Sequence, residues 1–248
     1  MHVEKYSRNA VGHLLLHYNR WVMVFGNRDI DHIRSDLNYN LAPSRGMSDI
    51  DYYQKRLAEV KCQKRADVKT LCDWIITLPK TEFSEEQERQ FFQEAYDFMA
   101  KRYDERNVVS AWVHKDESGQ PHMHFAFIPV CVDRKKGIEK VSAKEVLTRS
   151  DLQSIHKDME ERMNQVFGHE VGILNGATAG GNKTVMELKQ QSLQNEIRTL
   201  NTIKGQSINE LAETIKRYPR IIEIFTRAMR IAMGKEPPQQ ERTYQRSR

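Results

Sequence analysis

The sequence predicts an α+β fold in which a central antiparallel sheet is flanked by helices and followed by a C-terminal helical extension. Three observations lead to this prediction. Strand-like segments are interspersed with amphipathic helical segments, two of the strands are joined as a hairpin, and helical patterns alone follow after residue 184. With 248 residues, of which 39% are hydrophobic, the chain is long enough to bury a sizeable core.

Apolar residues recur at helical spacing in four segments before the extension. These helices are predicted at residues 8–21, at 50–65, after Ser84, and at 150–167. Ser84 and Gln87 have the spacing of a capping box, in which each side chain binds the backbone N–H of the other residue. Gly168 is well placed to end the last of these helices, because glycine readily adopts the left-handed conformation of a C-cap.

Strands are predicted before, between and after these helices. A short strand precedes the first helix, a strand-like run covers residues 37–41, and Pro79 ends a strong strand at 71–78. The hairpin consists of residues 107–113 and 123–128, and a further short strand is predicted at 138–143. The last helix of the extension starts near Pro219 and has Ile221, Phe225 and Met229 on one face.

The hairpin carries the densest group of reactive side chains in the chain: His114, Asp116, Glu117, His122 and His124. Because side chains alternate faces along a strand, His122 and His124 point the same way, and a partner strand in suitable register brings His114 beside them. Three histidines that leave coordination positions open are typical of a catalytic metal site. Imidazole alone suits zinc, copper or nickel, whereas phosphate chemistry often uses magnesium or manganese.

The charge of the chain is unevenly distributed. The net charge is +5 and the sequence pI is about 9.0. From Lys189 to Arg248 there are 12 basic and 6 acidic residues, so that 27 basic and 28 acidic residues remain in the first 188. We therefore predict a near-neutral catalytic domain, residues 1–188, and a basic helical extension, residues 189–248, with general attraction for phosphates. Solvated helix faces are an equally good explanation of the basic extension.

Other features bear on the compartment. No apolar run approaches the length of a membrane span, and the N-terminus lacks the apolar core of a signal peptide. Cys62, Cys72 and Cys131 are odd in number and widely spaced, which favours reduced thiols over disulfides. Together these features predict a cytoplasmic protein.

Several motifs in a fixed order resemble the MobV (Mob/Pre) family of plasmid mobilization relaxases. They are His-Tyr-Asn-Arg at 17–20, Arg-Ser-x-Leu-Asn-Tyr at 34–39, Leu-Cys-Asp-Trp-Ile-Ile at 71–76, His-x-Asp-Glu at 114–117 and Pro-His-Met-His at 121–124. The resemblance covers roughly residues 1–190. It implies the sheet-based fold of nucleases with a paired-histidine metal motif. It also implies an enzyme that nicks one strand of plasmid DNA at an origin of transfer and stays attached to the 5′ end.

The resemblance also implies roles for individual residues. His17 matches the histidine nucleophile of the family, and Glu117 matches the acidic residue that assists the chemistry. Tyr18 is the first alternative nucleophile if a tyrosine attacks instead. The metal ligands implied are His114, His122 and His124, with Mn²⁺ or Mg²⁺ as the expected ion.

The polar segment before the second strand is expected to face the DNA substrate. Arg20 and Arg34 can pair with phosphates, while Asn38 and Tyr39 can hydrogen-bond or stack with a base. A turn asparagine next to a strand aromatic explains the last two residues equally well. The chain departs from the family at Asp36, where a histidine is expected in many members, and an acid there would weaken DNA binding.

The expected function is metal-dependent, strand-specific nicking and strand transfer at a plasmid origin, through a covalent 5′-phosphoryl-histidine intermediate. The expected partner is plasmid DNA, single-stranded or supercoiled, and the C-terminal helices offer a surface for a homodimer. The sequence leaves open a replication initiator or transposase of related fold, a hydrolytic metal-dependent nuclease, and a non-catalytic DNA-binding regulator. A metal-buffer protein is disfavoured, because the polar segment would then have no role.

Overall fold

A computed structural model describes residues 1–20, 30–117 and 119–174 of the chain. The strands are β1 (His2–Ser7), β2 (Tyr39–Asn40), β3 (Lys69–Thr77), β4 (Val108–His114), β5 (His122–Phe127), β6 (Val130–Val132) and β7 (Glu139–Val141). The α-helices are α1 (Arg8–Tyr18), α2 (Asp49–Glu59), α3 (Glu85–Tyr103), α4 (Ala143–Val146) and α5 (Arg149–Phe167). Two 3₁₀ helices lie at His32–Leu37 and Glu105–Asn107.

Five strands form one sheet in the order β1-β3-β5-β4-β2, and every neighbouring pair in it is antiparallel. The remaining two strands, β6 and β7, form a separate two-stranded ribbon. The predicted α+β class, with a central antiparallel sheet flanked by helices, is therefore confirmed. The C-terminal helices and the domain boundary predicted after residue 188 lie outside the described residues.

Helices cover both faces of the sheet. On one face, α1 and α2 pack against Leu71, Ala126 and neighbouring residues of the sheet. The helices contribute Val11, Leu15 and Tyr18 from α1, and Tyr53 and Leu57 from α2. On the other face, the buried stripes of α3 and α5 pack against Trp74, Phe125 and Phe127. The two faces are called the α1 face and the α3 face below. The middle strands are buried on both sides, so that side chains in them must be apolar or fully paired.

Most element predictions are confirmed, with shifted ends. Ser84 caps α3, and both hydrogen bonds of its capping box with Gln87 are present. Gly168 ends α5 in the left-handed conformation, with φ of 71°. The second predicted helix is shorter than expected and ends at Glu59. The strand-like run at 37–41 is mostly wrong, because a 3₁₀ helix occupies its start and only Tyr39–Asn40 pair as a strand.

All three cysteines are free, as predicted. Among the helices of the described ranges, none has the length and apolarity needed to cross a bilayer.

Candidate active site

The strand register brings the three predicted metal histidines together. His114 ends β4, His122 begins β5, and the two residues lie directly opposite each other across the ladder. His124 lies two residues further along β5 on the same face. The ring centroids are 5.6 Å apart for His114 and His122, 5.0 Å for His114 and His124, and 5.1 Å for His122 and His124.

Each of these imidazoles has one nitrogen that is hydrogen-bonded to a carbonyl or carboxylate oxygen, which can only accept a hydrogen bond. Nε2 of His114 is 2.8 Å from the carbonyl oxygen of Tyr18, and Nδ1 of His122 is 3.2 Å from that of Gln120. Such a nitrogen must carry the proton and donate it, which leaves the lone pair on the other nitrogen of the neutral ring. Nδ1 of His114 is indeed buried and makes no hydrogen bond. The rings are thus held in the tautomers that a metal ligand needs.

His124 is fixed in the same way by a carboxylate. Nδ1 of His124 donates to Oδ2 of Asp73, 2.8 Å away on the neighbouring strand β3. The hydroxyl of Tyr18 donates to the same oxygen at 2.6 Å. The ring of Tyr18 stacks on that of His124 with centroids 4.4 Å apart. Because Asp73 lies behind the histidine as seen from the cluster, it acts on the ring and not as a ligand itself.

Tyr18 is poorly placed to be the alternative nucleophile suggested by the sequence. Its side chain is fully buried, and its hydroxyl is engaged with Asp73. Burial, followed by the charge of Asp73, raises the pKa of Tyr18 well above its usual value. A nucleophile has to reach a phosphate from solvent in an activated form, and the geometry of Tyr18 meets neither requirement.

His17 lies on the α1 side of the histidine cluster and is the most exposed of the four imidazoles. Its ring centroid is 5.8 Å from that of His114 and 6.2 Å from that of His124. Nε2 of His17 is 3.5 Å from Oε1 of Glu117. The structure thus brings His17 beside His114 and His124.

Glu117 is the common neighbour of three imidazoles. Its carboxylate oxygens lie 3.5 Å from Nε2 of His17, 3.4 Å from Nδ1 of His114 and 3.7 Å from Nε2 of His122. For His114 and His122 these are the nitrogens that carry the lone pairs. Glu117 therefore lies beside the free nitrogens of His114 and His122, whereas Asp73 contacts the nitrogen of His124 that points away from the cluster. A carboxylate in this place can bind a metal directly or hold a proton of His17.

Arg20 connects the helix to the hairpin turn. Its guanidinium donates to both carboxylate oxygens of Asp116, at 3.0 and 2.8 Å, and to Glu117 at 2.7 Å. It also donates to the carbonyl oxygen of His17 at 2.8 Å, and the same Nη1 is 3.3 Å from Nδ1 of that ring. The backbone of Arg20 has φ of 57°, in the left-handed region that costs an L-residue roughly 1–2 kcal/mol. The ion pairs hold the chain in this turn.

Burial and these charges determine the protonation of the site. Burial, followed by the charge of Arg20, lowers the pKa of His17 to about 4, so that the imidazole is neutral at pH 7. Burial alone would raise the pKa of Asp116, but hydrogen bonds from Arg20 and Ser35 outweigh it and lower that pKa to about 2. For Glu117 the opposing effect of burial is likewise outweighed by the hydrogen bond and charge of Arg20, and its pKa is lowered.

The donor set fits a divalent cation. Two overlapping groups of ligand atoms lie within 4.8 Å of one another: His17, His114 and His124 in one, and His114, Glu117 and His122 in the other. The site contains three carboxylates, those of Asp73, Asp116 and Glu117, and one guanidinium, that of Arg20. With neutral imidazoles its net formal charge is therefore −2. A divalent ion would neutralise this charge, and without it the site would repel a phosphate.

The residues predicted to contact DNA are scattered. Arg34 is exposed on the first 3₁₀ helix and makes no ion pair with any described residue. Asn38 accepts from the backbone N–H of Lys115 through Oδ1, which ties its loop to the hairpin turn. Tyr39 pairs with Val113 and packs on the α3 face beneath Arg89, so the structure does not bring it to the histidines. Arg20 is part of the site, where its charge is already paired with Asp116 and Glu117.

Two residues of the site were not given roles from the sequence. Asp73 could have been found, since a charged residue in the middle of the apolar strand β3 must have a buried partner. Asp116 was noted only as part of the hairpin turn. It pairs with Arg20 and accepts from the hydroxyl of Ser35 at 2.7 Å, which joins α1, the 3₁₀ loop and the turn.

The five-stranded antiparallel sheet and its helices have counterparts among solved relaxase domains. A Mn-bound crystal structure at pH 6.8 of the MobM relaxase domain with plasmid pMV158 oriT DNA superimposes with a TM-score of 0.62 and 33% identity. The match covers 77% of this chain and 96% of that one. A second MobM structure, bound to 26-nt oriT DNA, gives a TM-score of 0.55 and 28% identity over 75% of this chain and 97% of that one.

The sequence comparisons identify the family. The Mob_Pre profile, described as plasmid recombination enzyme, matches residues 1–190. Plasmid recombination enzymes of Streptococcus agalactiae and Lactiplantibacillus plantarum are 35% and 32% identical over 79% and 77% of this chain. The aligned regions are 40% and 52% of those proteins, so the chain spans about half the length of the curated relatives it matches. The chain belongs to the Mob_Pre family, and the resemblance noted in the sequence is confirmed.

Proposed function

We propose that this chain is a metal-dependent DNA relaxase that nicks one strand of plasmid DNA and stays joined to the 5′ end through a phosphoramidate on His17. The observation that carries the proposal is the meeting of three imidazoles at Glu117, with His124 beside them. His17 reaches Glu117 from the helix, and His114 and His122 reach it from the sheet. The Mn-bound, oriT-bound MobM structures supply the proposed ion and the proposed substrate class.

The metal is proposed to be held by His114, His122 and His124, because each has one nitrogen anchored and one lone pair free. Bound there, a divalent ion would stabilise the charge that grows on a non-bridging phosphate oxygen. Manganese and magnesium are the ions proposed.

His17 is proposed to attack because it is neutral at pH 7 and partly exposed. The nitrogen that lacks a proton forms a bond to phosphorus, and the bond from phosphorus to the 3′ oxygen breaks. That oxygen leaves as a hydroxyl after taking a proton from water. Arg20 contacts Nδ1 of His17, and Glu117 lies beside Nε2. These two contacts determine which of the two ring nitrogens holds the proton. Reversal of the same step reseals the strand.

The experiment is a search for covalent adducts that can be run with the origin sequence still undetermined. A randomised single-stranded DNA library is incubated with the protein and Mn²⁺, and complexes that survive denaturation are recovered, sequenced and mapped to a peptide. We expect the nucleotide on His17. We also expect the bond to be cleaved by mild acid and to survive in base, because P–N bonds are acid-labile.

The variant His17→Ala tests the assignment of the nucleophile. It should reduce adduct formation by about a thousandfold or more, since the nucleophile has no substitute. Mn²⁺ affinity, measured by calorimetry, should stay within about threefold, because the strand histidines remain. A large loss of Mn²⁺ affinity would instead make His17 a ligand. Cleavage that gives a free 5′-phosphate and no adduct would identify a hydrolytic nuclease, and DNA binding without cleavage a regulator.

A further inference from the structure

The β6–β7 ribbon lies at the opposite end of β5 from the histidine cluster. β5 runs from His122 at the site to Phe127, and β6 begins three residues later. Five residue steps along a strand span about 17 Å, which is the length of β5 between His122 and the end from which the ribbon continues. Val130 and Val141 pack into the core of the α1 face, which anchors the base of the ribbon on the same face as the histidines.

The turn of the ribbon presents three cations to solvent. Asp133 accepts from the backbone N–H groups of Lys135 and Lys136 through Oδ1, and the backbone N–H of Gly137 donates to its carbonyl oxygen. This capped turn is closed by Gly137, whose φ of 65° suits glycine. The side chains of Arg134, Lys135 and Lys136 are exposed and form no ion pair within the described residues.

The acids of the ribbon do not offset these charges. Asp133 is bonded to the turn backbone and lies 3.6 Å from Lys140, which also contacts Glu145 at 2.9 Å. Glu139 is paired with Arg56 at 2.8 Å and with Arg106 at 3.2 Å. Asp133 and Glu145 thus share Lys140, and Glu139 is paired with Arg56 and Arg106, so none of these acids pairs with a turn cation and the three turn cations remain as a positive tip.

Two exposed aliphatic side chains flank this tip. Val132 is 58% exposed and Ile138 is 41% exposed. In the ladder register, Val132 shares a face with Glu139, and Ile138 lies opposite Asp133, so the two apolar residues are on different faces of the ribbon. The tip thus has a cationic end and an aliphatic residue on each face.

This chemistry fits duplex DNA better than a single strand. Single-strand binding sites use aromatic rings on which the bases stack, and residues 130–141 contain no aromatic residue. Two-stranded ribbons do enter DNA grooves, where cations meet phosphates and aliphatic side chains pack against sugars or base edges.

We propose that the β6–β7 ribbon is a duplex-binding arm that enters a groove of the double-stranded DNA flanking the nick, with Arg134, Lys135 and Lys136 on phosphates. This inference rests on the proposed function, because it assumes that the chain acts on DNA. It goes further by assigning a second contact surface and the form of DNA that this surface takes.

The experiment compares a charge-neutral tip with a charge-matched control. The test protein carries Arg134→Gln, Lys135→Gln and Lys136→Gln, and the control carries Lys80→Gln, Lys101→Gln and Lys157→Gln, also exposed. Binding of a 20-base-pair duplex and of a 20-nucleotide single strand is measured by fluorescence anisotropy over a salt series. Thermal unfolding of both variants verifies that they are folded.

For the duplex, the test variant should bind about tenfold more weakly, and its slope of log K against log salt should be smaller by about 2 to 3. The single strand and the control variant should change by about twofold or less. Equal losses in test and control variants would overturn the proposal in favour of general charge attraction. Equal losses for duplex and single strand would overturn the assignment to duplex.

A different measurement, adduct formation by the wild-type protein, tests the proposed function itself. Wild-type protein that yields no adduct with any DNA would refute the relaxase assignment, whatever the tip variant does. If the proposal for the ribbon alone is wrong, wild-type adduct formation persists and the duplex binding of the tip variant equals that of the control.

Discussion

The strand side and the helix side of the site are held in place by different forces. On the strand side, the site residues project from a hydrogen-bonded ladder; they are Asp73, His114, His122 and His124. Each of the three histidine rings has one nitrogen hydrogen-bonded to an acceptor. On the helix side, His17 and Arg20 meet Asp116 and Glu117 through ion pairs. The first arrangement is fixed by backbone geometry, and the second depends on a balance of charge.

This difference predicts how each side responds to change. A neutral substitution on the strand side should alter how firmly a ring is oriented, and thus metal affinity, with little effect on folding. A neutral substitution on the helix side leaves a buried charge without its partner, which costs stability. Removing charges of opposite sign from the two sides should also shift metal affinity in opposite directions.

The largest effect is expected for Arg20→Gln. Asp116 is fully buried, and loss of its cation should lower the unfolding free energy of the metal-free protein by about 3 kcal/mol. Mn²⁺ affinity should rise about tenfold, because the substitution removes a positive charge that repels a divalent ion at the site. Urea unfolding and Mn²⁺ titration by calorimetry measure the two effects.

Arg102→Gln is the matched control for this prediction. Arg102 also bridges two carboxylates, Asp151 at 2.7 Å and Asp158 at 2.9 Å, on the α3 face of the molecule. It should lose some stability without a change in Mn²⁺ affinity. Weaker Mn²⁺ binding by Arg20→Gln would mean that Arg20 organises the ligands and does not merely oppose the charge of the ion.

Asp73→Asn tests the strand side. The substitution keeps the shape and an acceptor for Nδ1 of His124 but removes the negative charge that makes the ring a stronger ligand. Mn²⁺ affinity should fall by about 10-fold to 100-fold, as is typical when the carboxylate behind a metal-binding histidine is lost. Calorimetric titration of Mn²⁺ into the purified protein measures this change without reference to activity.

The control for Asp73→Asn is Glu160→Gln. Glu160 is a buried carboxylate on α5 that accepts from the backbone N–H groups of Gly172 and Leu174, away from the site. Its neutralisation should leave Mn²⁺ affinity unchanged. Wild-type affinity in Asp73→Asn would refute the role of the carboxylate in tuning His124.

The two sides also differ in how far the sequence could predict them. The strand side could be predicted from the alternation of side chains along a strand. In a hairpin with His114 on one strand and His122 and His124 on the other, most registers bring the three histidines together. Asp73 was recognisable in principle as an acid within an apolar strand. Only the pairing of β3 with β5 reveals its partner, since that partner lies 51 residues away along the chain.

The helix side is less accessible from the sequence. His17 is assigned through family resemblance, because helical spacing alone does not indicate which way a half-exposed histidine faces. Arg20 is predicted as a phosphate contact, but its ion pairs with Asp116 and Glu117 depend on a left-handed residue after α1 that no periodicity predicts. Tyr39 is predicted among the DNA contacts, and its register with Val113 places it on the α3 face. Contacts between distant loops are set by the fold and not by local pattern.

The smallest effect is expected for Tyr18→Phe, which joins the two sides. The hydroxyl of Tyr18, on the helix, donates to Asp73, on the strand, while its ring stacks on His124. Removing the hydroxyl should cost about 2 kcal/mol of unfolding free energy, because its acceptor is a buried carboxylate and hydrogen bonds to charged groups contribute more than neutral ones. Because the remaining ring still packs on His124, adduct formation with single-stranded DNA should stay within about threefold of wild type.

Tyr53→Phe provides the neutral reference, since the hydroxyl of Tyr53 makes a buried bond of 2.6 Å to the Thr70 hydroxyl on the same face, away from the histidines, and its loss should cost about 1 kcal/mol. Adducts formed by both folded variants would leave His17 as the only nucleophile among the two candidates. Loss of the adduct in Tyr18→Phe alone, with that variant still folded, would make the tyrosine hydroxyl the attacking group. That result would require α1 to turn when DNA binds, because the hydroxyl faces Asp73 in the interior.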